Sequence, residues 1–242
     1  MEQTSYYVSQ KDKLLKELAG FAKLIRPELA ARHGEQAATR LHQDALAEYE
    51  TLLAQFPYIG GKENPLTANL VQAGYVLALY RALQAYGGTV EEAGELSYLA
   101  MTRKLQQIPA FLRHLMARRK FTPRNIQTMK QRAQISQQRR YPGDWVFEVI
   151  EGDGQTCDVG MDYTECGIEK FMRSQGAADL TPYLCNLDYV TFGATGLGLL
   201  RTKTLAWGCD CCDFRIRRKG NVPLAWPPRF VERTCGCVIE EM

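Results

Sequence analysis

The sequence predicts an α+β fold: an N-terminal helical bundle packed with a small antiparallel sheet of about four strands, in the order hairpin, helices, hairpin. Three observations carry this. Apolar residues recur at helical spacing from about residue 10 to residue 137. At 141 the period changes to two, and 144–151 and 155–162 alternate around Gly152-Asp153-Gly154, a hairpin signal. Beyond 163, two short helical stretches are followed by two further strand-like runs. Strands interrupted by helices in that order argue for helices packed on an antiparallel sheet.

The helical region covers 1–140. Leu14, Leu15, Leu18, Phe21, Leu24 and Ile25 give the first stripe, with Pro27 kinking or restarting it and Gly34 ending it. A second helix spans about 35–56, and the breaker-rich PYIGGKENP loop follows. Asn64-Pro65 reads as cap and first residue of a helix over 65–86. That helix is apolar on most sides and is the buried centre of the bundle or a dimer interface, so a homo-oligomer stays open. Thr89 and Glu92 make a capping box for 90–107. Pro109 and Thr122-Pro123 start two more helices. An α+β unit for catalysis or ligand binding is expected over 141–220 and an irregular extension over 221–242, all in one integrated domain. In the unit, Thr164 is a candidate cap for a helix to about 174, and Thr181-Pro182 starts another that ends near Gly193.

Length and composition exclude several classes. At 242 residues and 45% apolar the chain can bury a sizeable core, and its net charge of +3 says little about partners. No apolar run reaches the roughly 18 uncharged residues of a membrane span, so no membrane association is expected. The opening MEQTSYYVSQKDK is neither a secretory signal nor a transit peptide, and a cytoplasmic location is expected. Eleven Lys or Arg and no acid lie between Arg103 and Arg140. Few aromatics accompany them, so this reads as a solvated face rather than a nucleic-acid interface.

The chemistry concentrates in 163–216, where six of eight cysteines lie in or just before the stretch. In a reducing compartment thiols suggest chemistry or metal before disulfides. Glu165-Cys166 opens a predicted helix, where free backbone N–H groups favour a thiolate. Cys185 and Asp188, three apart, share a helix face. Alternation along a strand puts Thr202 and Thr204 together and Arg201 on the opposite face. Asp213 is a general base or an edge-strand charge. Cys209, Cys211 and Cys212, with Cys235 and Cys237, do not make the two Cys-x-x-Cys pairs of a structural metal site, and no metal is assigned. No phosphate-binding glycine loop is present.

The set Glu165-Cys166, Cys185-x-x-Asp188, Arg201-Thr202-x-Thr204 and Gly208-x-x-x-Cys212-Asp213-Phe214, after the DWVFEVIEGDG hairpin, resembles the L-2-amino-thiazoline-4-carboxylic acid hydrolase family. The closing strand is also similar to that of 4-vinyl-reductase-like domains, which bind small molecules. The family resemblance implies a cofactor-independent hydrolase that opens a cyclic isothiourea carboxylate to an N-carbamoyl-cysteine-type product. The related domains imply the alternative, a small-molecule or metal sensor without turnover. Within the family reading, Cys185 or Cys212 serves as nucleophile or acid–base thiol, with Cys166 a third candidate thiol. Asp188 or Glu165 positions water or the amidine. Thr202, Thr204 or Arg201, with Asp213 beside them, holds the substrate carboxylate.

Overall fold

A computed structural model describes residues 5–226, with nine α-helices and a four-stranded antiparallel sheet among them. Helix α1 (Ser5–Val8) leads into α2 (Lys11–His33), which buries Leu14, Leu18, Ile25 and Leu29. Pro27 lies inside α2 and does not end it. The break falls at Gly34, whose φ of 86° suits glycine, and α3 (Glu35–Leu52) starts at the next residue.

Helix α4 (Thr67–Gln84) is the bundle's centre: 12 of its 18 residues are buried. It packs against α3, against α5 (Val90–Gln106) and against α8 (Gly167–Ser174). Gly74 permits the close approach of Phe56, just after α3, and of Tyr49 in α3, since a Cβ there would lie 2.2 Å from Phe56 Cζ and 3.1 Å from Tyr49 Cε2. The helix begins two residues later than the Asn64-Pro65 signal predicts. Asn64 Oδ1 still accepts the Leu66 N–H, as a cap would, and the Asn64 amide donates to Asp144. Half of the capping box forms: Thr89 Oγ1 accepts the Glu92 N–H, while the Glu92 carboxylate turns to His33 and Arg32. Pro109 precedes α6 (Ala110–Arg119), and Thr122 caps α7 (Pro123–Ser136).

Strands β1 (Val146–Glu151), β2 (Val159–Glu165), β3 (Gly198–Leu200) and β4 (Cys212–Arg217) lie in the order β1-β2-β4-β3. The β1–β2 connection is longer than a two-residue turn. Asp153 organises it by accepting the N–H groups of Gln155, Thr156 and Cys157, which holds its carboxyl down at about 2. Near the other end of the hairpin, Phe147 pairs with Tyr163 and Val146 with Glu165, so Thr164 is skipped. This bulge leaves Thr164 in β2, and Cys166, not Thr164, stands at the N-cap of α8. Helix α9 (Thr181–Thr195) starts at the predicted Thr-Pro and ends at Gly196, φ 70°.

Register sorts the two faces of the sheet. Phe147, Tyr163 and Cys212 are opposite one another, as are Val149, Met161 and Phe214. This face packs with Ala117 of α6, with Phe121, and with Tyr189 and Phe192 of α9 in a second hydrophobic cluster, apart from the larger core of α2–α5. The opposite face carries Glu148, Asp162 and Asp213.

Candidate active site

Helix α9 presents Cys185 and Asp188 on one face, and both meet Arg201. Arg201 Nη1 donates to Asp188 Oδ2 at 2.8 Å and Nη2 to the Cys185 carbonyl at 2.9 Å. The guanidinium carbon lies 5.1 Å from the ring centres of Tyr189 and of Phe214. Two acceptors and two aromatic rings offset part of the cost of burying a full charge, while Arg201 Nε stays without a hydrogen-bond partner among the described residues.

This overturns the strand reading of 201–204. Strand β3 ends at Leu200, so period-two alternation does not extend to Arg201. Arg201 and Thr204 both turn inward, and Thr202 turns away. Thr204 is fully buried, with Oγ1 3.3 Å from Cys212 Sγ and 3.7 Å from Cys185 Sγ. Thr202 Oγ1 donates to Asp213 Oδ2 at 2.6 Å, while Asp213 Oδ1 accepts the Thr202 and Lys203 N–H groups. Asp213 thus staples this segment to β4, and neither expectation for it survives. Its acceptor capacity is spent on backbone and hydroxyl, and β4 lies between β2 and β3, not at an edge. A 3-10 turn, Leu205–Trp207, then returns the chain, and the Leu205 N–H donates to Cys212 Sγ at 3.2 Å.

Glu165 stands apart from this cluster. Its carboxylate pairs with Arg139 and Lys170, and Lys170 also donates to the carbonyls of Pro142 and Asp144. Glu165 therefore ties β2 to the connection before β1. Cys166 does face the cluster, but its thiolate is not favoured. Burial pushes the thiol well above its ordinary range and the neighbouring Cys185 adds to this, outweighing the N–H groups of Glu169 and Ile168.

The other thiols behave alike. Burial pushes Cys185 up to about 12, against the pull of Arg201 and the Thr204 hydroxyl. Cys212 is raised by burial, opposed by its bonds from Thr204 and Leu205. Burial likewise raises Asp188 above the usual carboxylate range, with Arg201 and then Lys120 opposing. Yet Asp188 keeps 40% of its side chain exposed, and Tyr163, Cys166 and Cys185 are only half-buried. These side chains are crowded by protein and still reached by solvent. Of the Asp188 oxygens, Arg201 engages Oδ2.

Tyr163, Tyr189 and Phe214 escaped the sequence reading as site residues. Tyr189 adjoins Asp188, but Tyr163 meets Cys212 only through strand register. The dense cysteine run separates. Cys212 joins the cluster, whereas Cys211 is raised to about 11 by burial and by the charges of Asp210 and Asp162. No three His, Cys, Asp or Glu groups gather as a metal site would require among the described residues. Cys235 and Cys237 lie outside those residues. Of the basic run, Arg103, Lys130 and Arg139 pair with Glu28, Glu151 and Glu165.

Chemically, a solvent-reached carboxylate fixed by a buried guanidinium can bind an amidinium and take a proton from water. The thiols beside it retain their protons. A family model described as L-2-amino-thiazoline-4-carboxylic acid hydrolase matches residues 68–216, an interval that contains the entire cluster. No curated protein and no solved structure matches the chain.

Proposed function

The chain belongs to the L-2-amino-thiazoline-4-carboxylic acid hydrolase family, and on that footing we propose that it hydrolyses a small cyclic isothiourea carboxylate to an N-carbamoyl-cysteine-type product. The observation that carries this is Asp188: reached by solvent, oriented by Arg201 and one helical turn from Cys185. The substrate's C2, bonded to sulfur and two nitrogens, is an amidine-like electrophile. Its N–H groups bind the Asp188 carboxylate. Water adds to C2, giving up a proton to Asp188. The C2–S bond of this neutral adduct of the protonated amidine then breaks, its electron pair leaves with sulfur, Asp188 returns the proton to it, and the C2 hydroxyl releases its own proton to solvent as it becomes the carbonyl. One water is consumed, and a urea carbonyl and a free thiol form.

Water is favoured over Cys185 as the attacking group. A thiol held at about 12 is thiolate in only roughly one part in 100,000 at pH 7. Cys185, Cys166 and Tyr163 then flank the bound substrate, and Thr204, itself bonded to Cys212, supports Cys185. The protonated state of all three thiols also fits a second reading, a small-molecule-binding module without turnover.

Free-thiol release from a panel of thiazolines and isothioureas separates the two. Catalytic release from 2-amino-thiazoline-4-carboxylate supports the hydrolase. Binding of the panel without release supports the second reading.

A further inference from the structure

The proposed substrate class carries a carboxylate, and the side chains expected to hold it are already committed. Arg201 serves Asp188 and the Cys185 carbonyl, Thr202 serves Asp213, and Thr204 lies between two thiols. Arg218, a nearby cation, stacks on Phe121 and pairs with Asp158.

Lys120 is placed differently. It is the C-cap of α6, its side chain is exposed, and no carboxylate among the described residues lies within ion-pair range of it. Its neighbour Phe121 is 7% exposed and belongs to one cluster with Tyr189, Leu197 and Ile216. Tyr189 is the ring on which Arg201 stacks, and α6 packs along α9. The end of α6 therefore packs against α9 around Tyr189, the residue after Asp188, and the Lys120 charge acts on that carboxylate. An anion on Asp188 and a cation held off from it on Lys120 complement a small zwitterion. The amidinium end of such a ligand meets Asp188, and its carboxylate meets the ammonium.

We propose that Lys120 binds the substrate carboxylate and selects carboxylated thiazolines over uncarboxylated ones. This rests on the hydrolase reading for its ligand class. Lys120 acts through binding, and its charge is screened by salt because it is exposed.

The test compares 2-amino-2-thiazoline-4-carboxylate with 2-amino-2-thiazoline, which lacks the carboxylate, on wild type, Lys120→Arg and Lys120→Glu. For the carboxylated compound, Lys120→Glu is expected to raise KM about five- to tenfold or more with kcat little changed, and Lys120→Arg to preserve KM. At a pH well above the Asp188 titration, where loss of the Lys120 charge cannot change the ionisation of that carboxylate, the uncarboxylated compound should respond to neither substitution. Equal effects on both compounds, or none, overturn the proposal. Calorimetric binding of both compounds reads the same preference independently of turnover. A wild type that binds the carboxylated compound more tightly, with the preference lost in Lys120→Glu, supports the proposal even if the hydrolase reading fails. A wild type without that preference overturns it even if thiol is released.

Discussion

Arg201 and Asp188 form an ion pair with one partner shut away and the other open: the Arg201 side chain is 1% exposed and the Asp188 side chain 40%. The guanidinium donates to Asp188 and the Cys185 carbonyl and lies over two rings, and its Nε–H is buried without a hydrogen-bond partner among the described residues. It positions the carboxylate and has little left to offer a ligand.

Arg201→Lys tests this positioning. Lysine supplies a point charge that cannot bridge Asp188 and the Cys185 carbonyl while stacking on Tyr189 and Phe214. Thiol release is expected to fall about 100-fold. Arg201→Met should cost about 2–4 kcal/mol in urea denaturation, mostly through lost packing, because Asp188 can be resolvated. Near-wild-type activity in Arg201→Lys would remove Arg201 from the account.

The pH profile follows from the raised Asp188 carboxyl. Only the carboxylate accepts a proton, so activity should climb as pH rises through a value above the ordinary carboxylate range, then level off. Were the Cys185 thiolate the nucleophile, the rate would instead keep rising toward about 12. A continuous rise between pH 7 and 10 would move the attack from water to Cys185.

The cysteines should separate by substitution. Cys212→Ala leaves the Leu205 N–H without its sulfur acceptor and should cost about 1–3 kcal/mol, whereas Cys212→Ser keeps an acceptor and should lose less. Cys185→Ala should keep turnover within about tenfold of wild type, since water attacks. A covalent adduct on Cys185, seen by intact-mass spectrometry during turnover, would contradict this.

Helix packing also reaches the site. A Cβ at Gly94 would lie 2.2 Å from the Tyr183 ring, two residues before Cys185. Gly94→Ala should destabilise by about 1–3 kcal/mol in urea denaturation and lower activity by displacing α9. An unchanged denaturation midpoint would show that α9 yields without cost.

The fold was legible where local signals act alone. The Thr89 and Thr122 caps, the Gly34 break and the change of period at 141 each depend on a few adjacent residues. The shared face of Cys185 and Asp188 was readable for the same reason, since three residues on a helix fix it. What failed depended on distant partners. Thr202 and Thr204 look like strand formers, but the Asp213 staple and the 3-10 turn after Thr204 end the alternation. That is why Arg201 and Thr204 share an interior with Cys185 although alternation separates them. Glu165 looks like a site acid until Arg139 and Lys170 close on it, and Cys166 like an activated thiol until its burial is known.

Asp188→Asn is the most direct test, because it removes the proton acceptor while keeping size and hydrogen-bonding capacity. The account predicts a fall of about 10²- to 10⁴-fold in kcat/KM for thiol release from 2-amino-thiazoline-4-carboxylate, with the circular dichroism spectrum unchanged. Wild-type kcat/KM in a folded Asp188→Asn protein would contradict it.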